Sequence, residues 1–403
     1  MNQPAQKYSE TTRTESRKTL VARNFEEIEA IRAIWERIQR NEPYPVPDAD
    51  IDRYLSVVKA SGGDTRPYVM LVEADDRAQA MIVGWIEKRQ INLKLGYKTL
   101  CRPALKCLSV VYGGVLGQPE DGLCALLVSE LMKQLRRPDV DMVYFNHLRT
   151  DTSFYQAVRK TPSFLTRGHF PRIEEHWIMN IPSSIDQFYQ TLSAKHRSTL
   201  RRKIRMLQTK YPDEVNVVKY TQGADVEEAI KAASKVSRTT YQHALGSGLG
   251  DDSASRNVLS TAAANGWLDL SVLYVGKEPC AFQLGLRYGG RYFLQTLGFN
   301  PEWRKLSVGT VLFLRVLEDL CNDPELESFD FGFGDAPYKR RYGDRQWPEA
   351  SVYIFALRPY PVFINVPRSS VEALDLGLKY VVNKMGLVRW IKRRWRQRLV
   401  RFH

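Results

Sequence analysis

RYFLQTLGFNPEWRKLSVGTVLFLRVLEDL, residues 291–320, decides the fold. Its first nine residues are aromatic and β-branched enough for a strand, and Asn300-Pro301 ends it. The loop that follows is spaced Arg304-x-x-Ser307-x-Gly309, and GTVLFLRVLEDL then repeats apolar residues at helical intervals. A strand, a tight loop and an immediate helix bring several backbone N–H groups and a helix amino terminus to one point. That arrangement binds a pyrophosphate with little help from side chains, and glycine at 309 permits close approach of the backbone.

Outward from this segment, LDLSVLYVG and CAFQLGLRYG precede the strand and complete a meander, while SFDFG and SVYIFAL follow the helix as further strands. Helices are expected at roughly 185–210 and 225–243, the first including the basic run FYQTLSAKHRSTLRRKIRML at 188–207. The first half has the same order. Asn24 caps a helical pattern of Ile28, Ile31, Ile34, Trp35 and Ile38, YVMLVEA and AMIVGWIEK pair through a charged turn, and CLSVVYG leads by a glycine turn into the helix GLCALLVSELMKQL and the strand DMVYFNHL. HWIMNI closes that half near 181. A repeated element order implies two tandem α/β (α+β) domains, each a mixed, mostly antiparallel sheet flanked by helices. The expected division is a disordered polar segment at 1–20, domains at 21–182 and 183–360, and a helical basic tail at 361–403.

The formal charge of +14 predicts a field that gathers anions. Five cysteines without a CxxC pair or a histidine-rich flank argue against a disulfide framework or a metal site, and no metal is expected. A polar amino terminus and the lack of a long apolar run give the expectation of a cytoplasmic protein. In the 188–207 helix, Arg197, Arg201 and Arg205 share one face at four-residue spacing and suit phosphate groups of a substrate. The same arginines also fit a solvated helix face. From Lys384 to His403 there are eight Lys/Arg residues and no acid, with Leu387, Val388, Ile391, Trp395, Leu399 and Phe402 on one stripe. Such a helix lies in an anionic membrane interface, so 384–403 is expected to hold the chain peripherally at the inner face of the membrane. A polysaccharide synthase complex or an anionic nucleotide is the other kind of partner for this tail.

The 304–310 loop resembles the acyl-CoA loop of the GNAT superfamily, Arg/Gln-x-x-Gly-x-Gly/Ala, with Ser307 in place of the first glycine. The segment DFGFGDAPYKRRYG, 330–343, resembles the CelD-like and holdfast-type exopolysaccharide N-acetyltransferase branch and, more distantly, the FemABX peptidyltransferases. The resemblance covers 185–357. It implies an acyl-CoA, foremost acetyl-CoA, held by Leu297, Gly298, Phe299, Arg304, Lys305, Ser307, Val308, Gly309 and Thr310. It implies N-acylation of an amino sugar or a lipid-linked glycan precursor. It also directs Tyr241 and His243 at the acceptor. For the chemistry, Tyr338 has a hydroxyl fit to protonate a thiolate, Lys339 a charge fit to stabilise a tetrahedral intermediate, and Asp335 a carboxylate fit to take the amine's proton. Two other readings stand beside this one. They are a FemABX-like transferase fed by aminoacyl-tRNA, against which an intact CoA loop argues, and a non-catalytic scaffold on the membrane.

Overall fold

The computed structural model describes residues 17–74, 77–95, 98–223, 225–240 and 248–384. In the first half, strand β1 (Arg17–Ala22) precedes helices α1 (Phe25–Ala30), α2 (Arg32–Arg40) and α3 (Ile51–Ala60). Strands β2 (Thr65–Ala74) and β3 (Arg77–Gln90), a small hairpin β4 (Leu93–Leu95) and β5 (Lys98–Cys101), and β6 (Ala104–Leu116) follow. Helix α4 (Asp121–Gln134), β7 (Met142–Arg149), α5 (Ser153–Lys160) and β8 (Ile173–Asn180) complete this half. The second half contains α6 (Ile185–Thr191), α7 (Ala194–Lys210), β9 (Val215–Tyr220), α8 (Asp225–Arg238), α9 (Ser253–Ala264) and the meander β10 (Leu268–Val275), β11 (Glu278–Tyr288) and β12 (Arg291–Phe299). After it come α10 (Val308–Cys321), β13 (Ser328–Phe333), α11 (Pro337–Tyr342), β14 (Arg345–Phe355) and α12 (Pro359–Lys384).

Local chemistry explains most of these boundaries. Asn24 accepts from the Glu27 N–H and caps α1 as the sequence suggests, a contact that contributes about 1 kcal/mol. The single helix expected from Ile28 to Ile38 is nevertheless two, because the chain turns at Ile31. The basic helix expected at 188–207 is likewise broken. Leu192 leaves the helical conformation, and Ser193 starts α7 by capping it through the His196 N–H. The expectation of disorder for 1–20 is corrected at its end, since β1 begins at Arg17 and pairs antiparallel with β2.

All the strands except the β4–β5 hairpin form one sheet of twelve, ordered β1-β2-β3-β6-β7-β14-β8-β13-β12-β11-β10-β9. Each half is covered on both faces. In the first half, α1–α3 pack over Val69, Leu71, Met81 and Val83, and α4 and α5 over Met70, Val72 and Ile82, the alternation of a strand buried on both sides. In the second, α6, α7 and α10 cover one face and α8 and α9 the other.

The sheet does not divide at 182. The strand expected to close the first half, β8, pairs with β13 of the second half, and the last strand of the second half, β14, pairs with β7 of the first. Each half therefore lends its closing strand to the other, and β14 and β8 pair at the centre.

Candidate functional site

In each half two parallel strands part company. In the second, β12 and β13 pair only from Arg291 with Ser328 to Phe293 with Asp330. Beyond Phe293 the strands splay, and β12 bulges there, because Leu294 opposes Gly285 and Thr296 opposes Leu284 while Gln295 has no opposite. The carboxyl end of β12, Leu297–Phe299, leads to a 3-10 turn at Pro301–Leu306 and then to Ser307, whose φ of 56° and ψ of 34° are left-handed. This is the position where the resembling loops have glycine. Ser307 is the N-cap of α10 but makes no side-chain cap, so its hydroxyl does not cover the first amides of the helix. Gly309 has a different reason from the one its spacing suggests: a Cβ there would meet the Phe299 ring at 3.2 Å.

Positive groups line this helix start. Lys203 Nζ on α7 reaches Thr310 Oγ1 at 3.4 Å. Burial, then the charges of Arg341 and Arg202, push the Lys203 amine below its ordinary value. His196 is held down in the same way, by burial and then by Arg341 and Lys203, and its Nε2 lies 3.2 Å from the Tyr342 hydroxyl. The cluster gives this helix start a positive field that favours an anion.

The first half has the corresponding strands and helix with the opposite electrostatics. There β6 and β7 pair in parallel from Cys107 with Met142 to Val110 with Phe145. The Gly117 N–H before α4, however, donates to Glu42 Oε1, and Glu120 and Asp121 occupy the helix start. This helix start is thus lined by carboxylates rather than cations.

Of the residues expected from sequence, the structure brings together Leu297, Gly298, Phe299, Arg304, Lys305, Ser307, Val308, Gly309 and Thr310 around the start of α10. It spreads the arginine face of α7 differently. Arg197 donates to the Tyr189 carbonyl at 3.4 Å, the Arg201 guanidinium lies 5.5 Å from the Tyr189 ring centre, and Arg205 is exposed. Tyr241 and His243 lie outside the described residues. Tyr338 begins α11 with its ring edge-on to Phe331, and Asp335 is ion-paired with Arg340 on the surface. Lys339 is buried, and its amine donates to the carbonyls of Gly332 (3.1 Å) and Phe333 (2.7 Å), pinning the turn after β13. Burial lowers its pKa to about 8, against the raising effect of Asp330, Glu174 and Asp335.

Sequence reading missed a polar cluster in the sheet at the seam of the halves. His176, Asp330 and Glu349, with exposures of 0%, 2% and 2%, meet there. His176 Nε2 is 2.8 Å from Asp330 Oδ1, and its Nδ1 is 3.3 Å from Glu349 Oε2. Asp330 also accepts from the Tyr44 hydroxyl (2.7 Å) and the Gly332 N–H (2.6 Å), and Glu349 from Trp347 Nε1 (2.7 Å) and the Tyr112 hydroxyl (3.1 Å). Burial alone would lower the imidazole's pKa, but the charges and hydrogen bonds of Asp330 and Glu349 raise it to about 9. The signal in the sequence is a lone acid or histidine inside strands that otherwise read as apolar, as in SFDFGF. Among the described residues, no group of His, Cys, Asp and Glu is placed to hold a metal ion.

Comparison with known proteins agrees with this geometry. Residues 194–340 match the family model described as an acetyltransferase (GNAT) domain. No curated protein matches the sequence. Among solved structures, the chain is similar to FemX, with a TM-score of 0.57 at 10% identity over 83% of this chain and 98% of that one. It is also similar to a tandem GNAT protein from the clavulanic acid biosynthesis pathway, solved without acetyl-CoA, with a TM-score of 0.54 at 11% identity over 85% of this chain and 99% of that one. At such identities the likeness is one of fold, and it spans both halves. The second half thus matches a GNAT acetyltransferase domain over residues 194–340, within a fold similar to that of a tandem GNAT protein, and the match supports an acyltransferase.

Proposed function

We propose that the chain is an acyl-CoA-dependent N-acyltransferase whose second half binds the donor and whose acceptor is an amine on an anionic sugar or lipid-linked glycan precursor. The observation that carries this reading is the uncapped start of α10 behind a left-handed Ser307, flanked by Lys203, Arg202 and Arg341. The donor's pyrophosphate would sit on the α10 amides, and its pantetheine arm would run into the splay between β12 and β13. In the transfer, the neutral amine adds to the thioester carbonyl, the C–S bond breaks, and CoA leaves as the thiol. Tyr338 supplies the proton for the departing sulfur, and Asp335, directly or through a water, takes the one that the amine loses. The exopolysaccharide setting follows from the resemblance of 330–343.

Calorimetric titration of the full chain with CoA tests the reading. One equivalent should bind, Lys203→Glu should weaken it about tenfold or more, and Tyr338→Phe should bind normally while turning over acyl-CoA slowly. No binding of CoA, together with salt-dependent binding of tRNA, would favour the FemABX-like alternative, with which the likeness to FemX and the basic α7 are compatible.

We also propose a peripheral membrane position. Among the described residues no helix is long and apolar enough to cross a membrane. The inner side of α12 docks on the first half, Asn365 Nδ2 donating to the Leu165 and Arg167 carbonyls at 3.0 Å. Its outer side exposes Tyr360 (50%), Phe363 (71%), Val366 (50%) and Leu374 (61%), and it leads into the basic stretch 384–403, of which 385–403 lies outside the described residues. Liposomes containing anionic lipid should sediment the full chain, and a chain ending at 383 should stay largely in the supernatant. Equal pelleting of the two would refute the role of the tail.

A further inference from the structure

A cavity of about 440 Å³ lies between the halves, on the sheet face opposite α7 and α10. Helix α3 of the first half forms one wall with Val57, and α9 of the second forms another with Val258 and Leu259. Leu249 closes a side, and Leu284 and Leu286 of β11 form the floor. The polar residues of the lining are Arg53, Ser61, Ser255 and Gln295. Arg53 donates to Gln295 Oε1 at 3.2 Å, and Gln295 is the bulged residue of β12, two positions past the last pairing with β13. The cavity therefore adjoins the point where the splay opens, and Val57, Val258, Leu259, Leu284 and Leu286 form most of the rest of its lining. A mostly apolar lining with a few polar groups is the usual form of a small-molecule site.

We propose that this cavity receives the hydrocarbon chain of the acyl donor, so that the enzyme takes acyl-CoAs longer than acetyl. The proposal rests on the donor reading given above. With the pyrophosphate at the start of α10 and the pantetheine in the splay, the thioester carbonyl lies near the β12 bulge. A short acyl group ends there, whereas a longer one continues past Gln295 into the space between α3 and α9. The reaction is unchanged: the amine displaces the CoA thiol from the carbonyl, and the chain in the cavity stays attached to the carbonyl carbon and leaves with the amide. Because α3 supplies a wall, the first half has a part in donor selection although its own splay carries acids.

Titration of the full chain with CoA, acetyl-CoA, hexanoyl-CoA and decanoyl-CoA decides the matter. The hexanoyl ester should bind at least about tenfold more tightly than acetyl, since each buried methylene contributes about fourfold at most. Val258→Trp should abolish that gain and leave the affinity for acetyl-CoA unchanged. Val258 and Val57 are both half-buried on the cavity wall, so Val57→Phe provides the same test should the tryptophan variant fail to fold. Equal affinities for all the esters, with CoA itself bound, would overturn this inference and leave the donor reading standing. Absence of CoA binding would overturn both. A chain-length gain that survives in both variants would place the chain elsewhere and overturn the inference as well.

Discussion

Asp330→Ala is expected to lower the unfolding midpoint of the whole chain in urea by an amount equivalent to about 3–5 kcal/mol, the cost of breaking a buried ion pair by removing one of its members. The substitution removes the acceptor for His176 Nε2, the Tyr44 hydroxyl and the Gly332 N–H together. Tyr44 and His176 come from the first half and Asp330 from the second, so the loss should not be confined to one half. The effect should also depend on pH with a fixed sign. His176 has a folded pKa raised to about 9 from 6.5, so its contribution is complete below 6.5 and disappears as the pH rises through 9. The gap between wild type and variant should be widest near pH 6 and narrow toward pH 10. Coincident urea curves at pH 6 would show that the cluster does not hold the halves.

The second large effect is expected at Ser307. At a φ of 56° a β-branched side chain crowds its own backbone, at a cost of about 1–2 kcal/mol, whereas glycine is at ease there. Ser307→Val should therefore pull the chain toward negative φ and rotate the first amides of α10 away from their common point. CoA affinity should fall about a hundredfold while circular dichroism stays that of the wild type, because the core of α10, led by Val308, Leu312 and Leu317, is untouched. Ser307→Gly should bind at least as well as wild type. Equal binding by the valine and glycine variants would mean that the pyrophosphate sits elsewhere.

The parts legible in the sequence are those that local chemistry fixes. The strand at 291–299 and α10 follow from a short apolar alternation, a Pro301 break and a helical repeat, all within thirty residues, whereas the left-handed conformation of Ser307 is seen only in the structure. The cation cluster beside them was half legible. The basic character of α7 is plain, but Lys203 rather than the Arg197–Arg201–Arg205 face turns to Thr310, since Tyr189 holds two of those arginines. The His176–Asp330–Glu349 cluster was not legible, because 154 residues separate the first pair and 173 the pair of His176 with Glu349. Each belongs to a strand whose neighbours only the exchange of β8 and β14 determines. A pattern of period two specifies which face a strand buries and not which strand lies beside it.

That exchange has a consequence for the chain as it is being made. Strand β7 leaves the ribosome by Arg149, yet the strand that covers its far edge begins at Arg345, and the Tyr144–Ser351 contact spans 207 residues. At a synthesis rate of roughly 5–20 residues per second, that edge waits about 10–40 s for its partner. During that time an apolar strand in the middle of the future sheet presents unpaired amides and carbonyls to any other strand in the cell. An edge that must stay open over nearly half of the translation is one that aggregation threatens, and the length of the message between β7 and β14 sets how long it stays open.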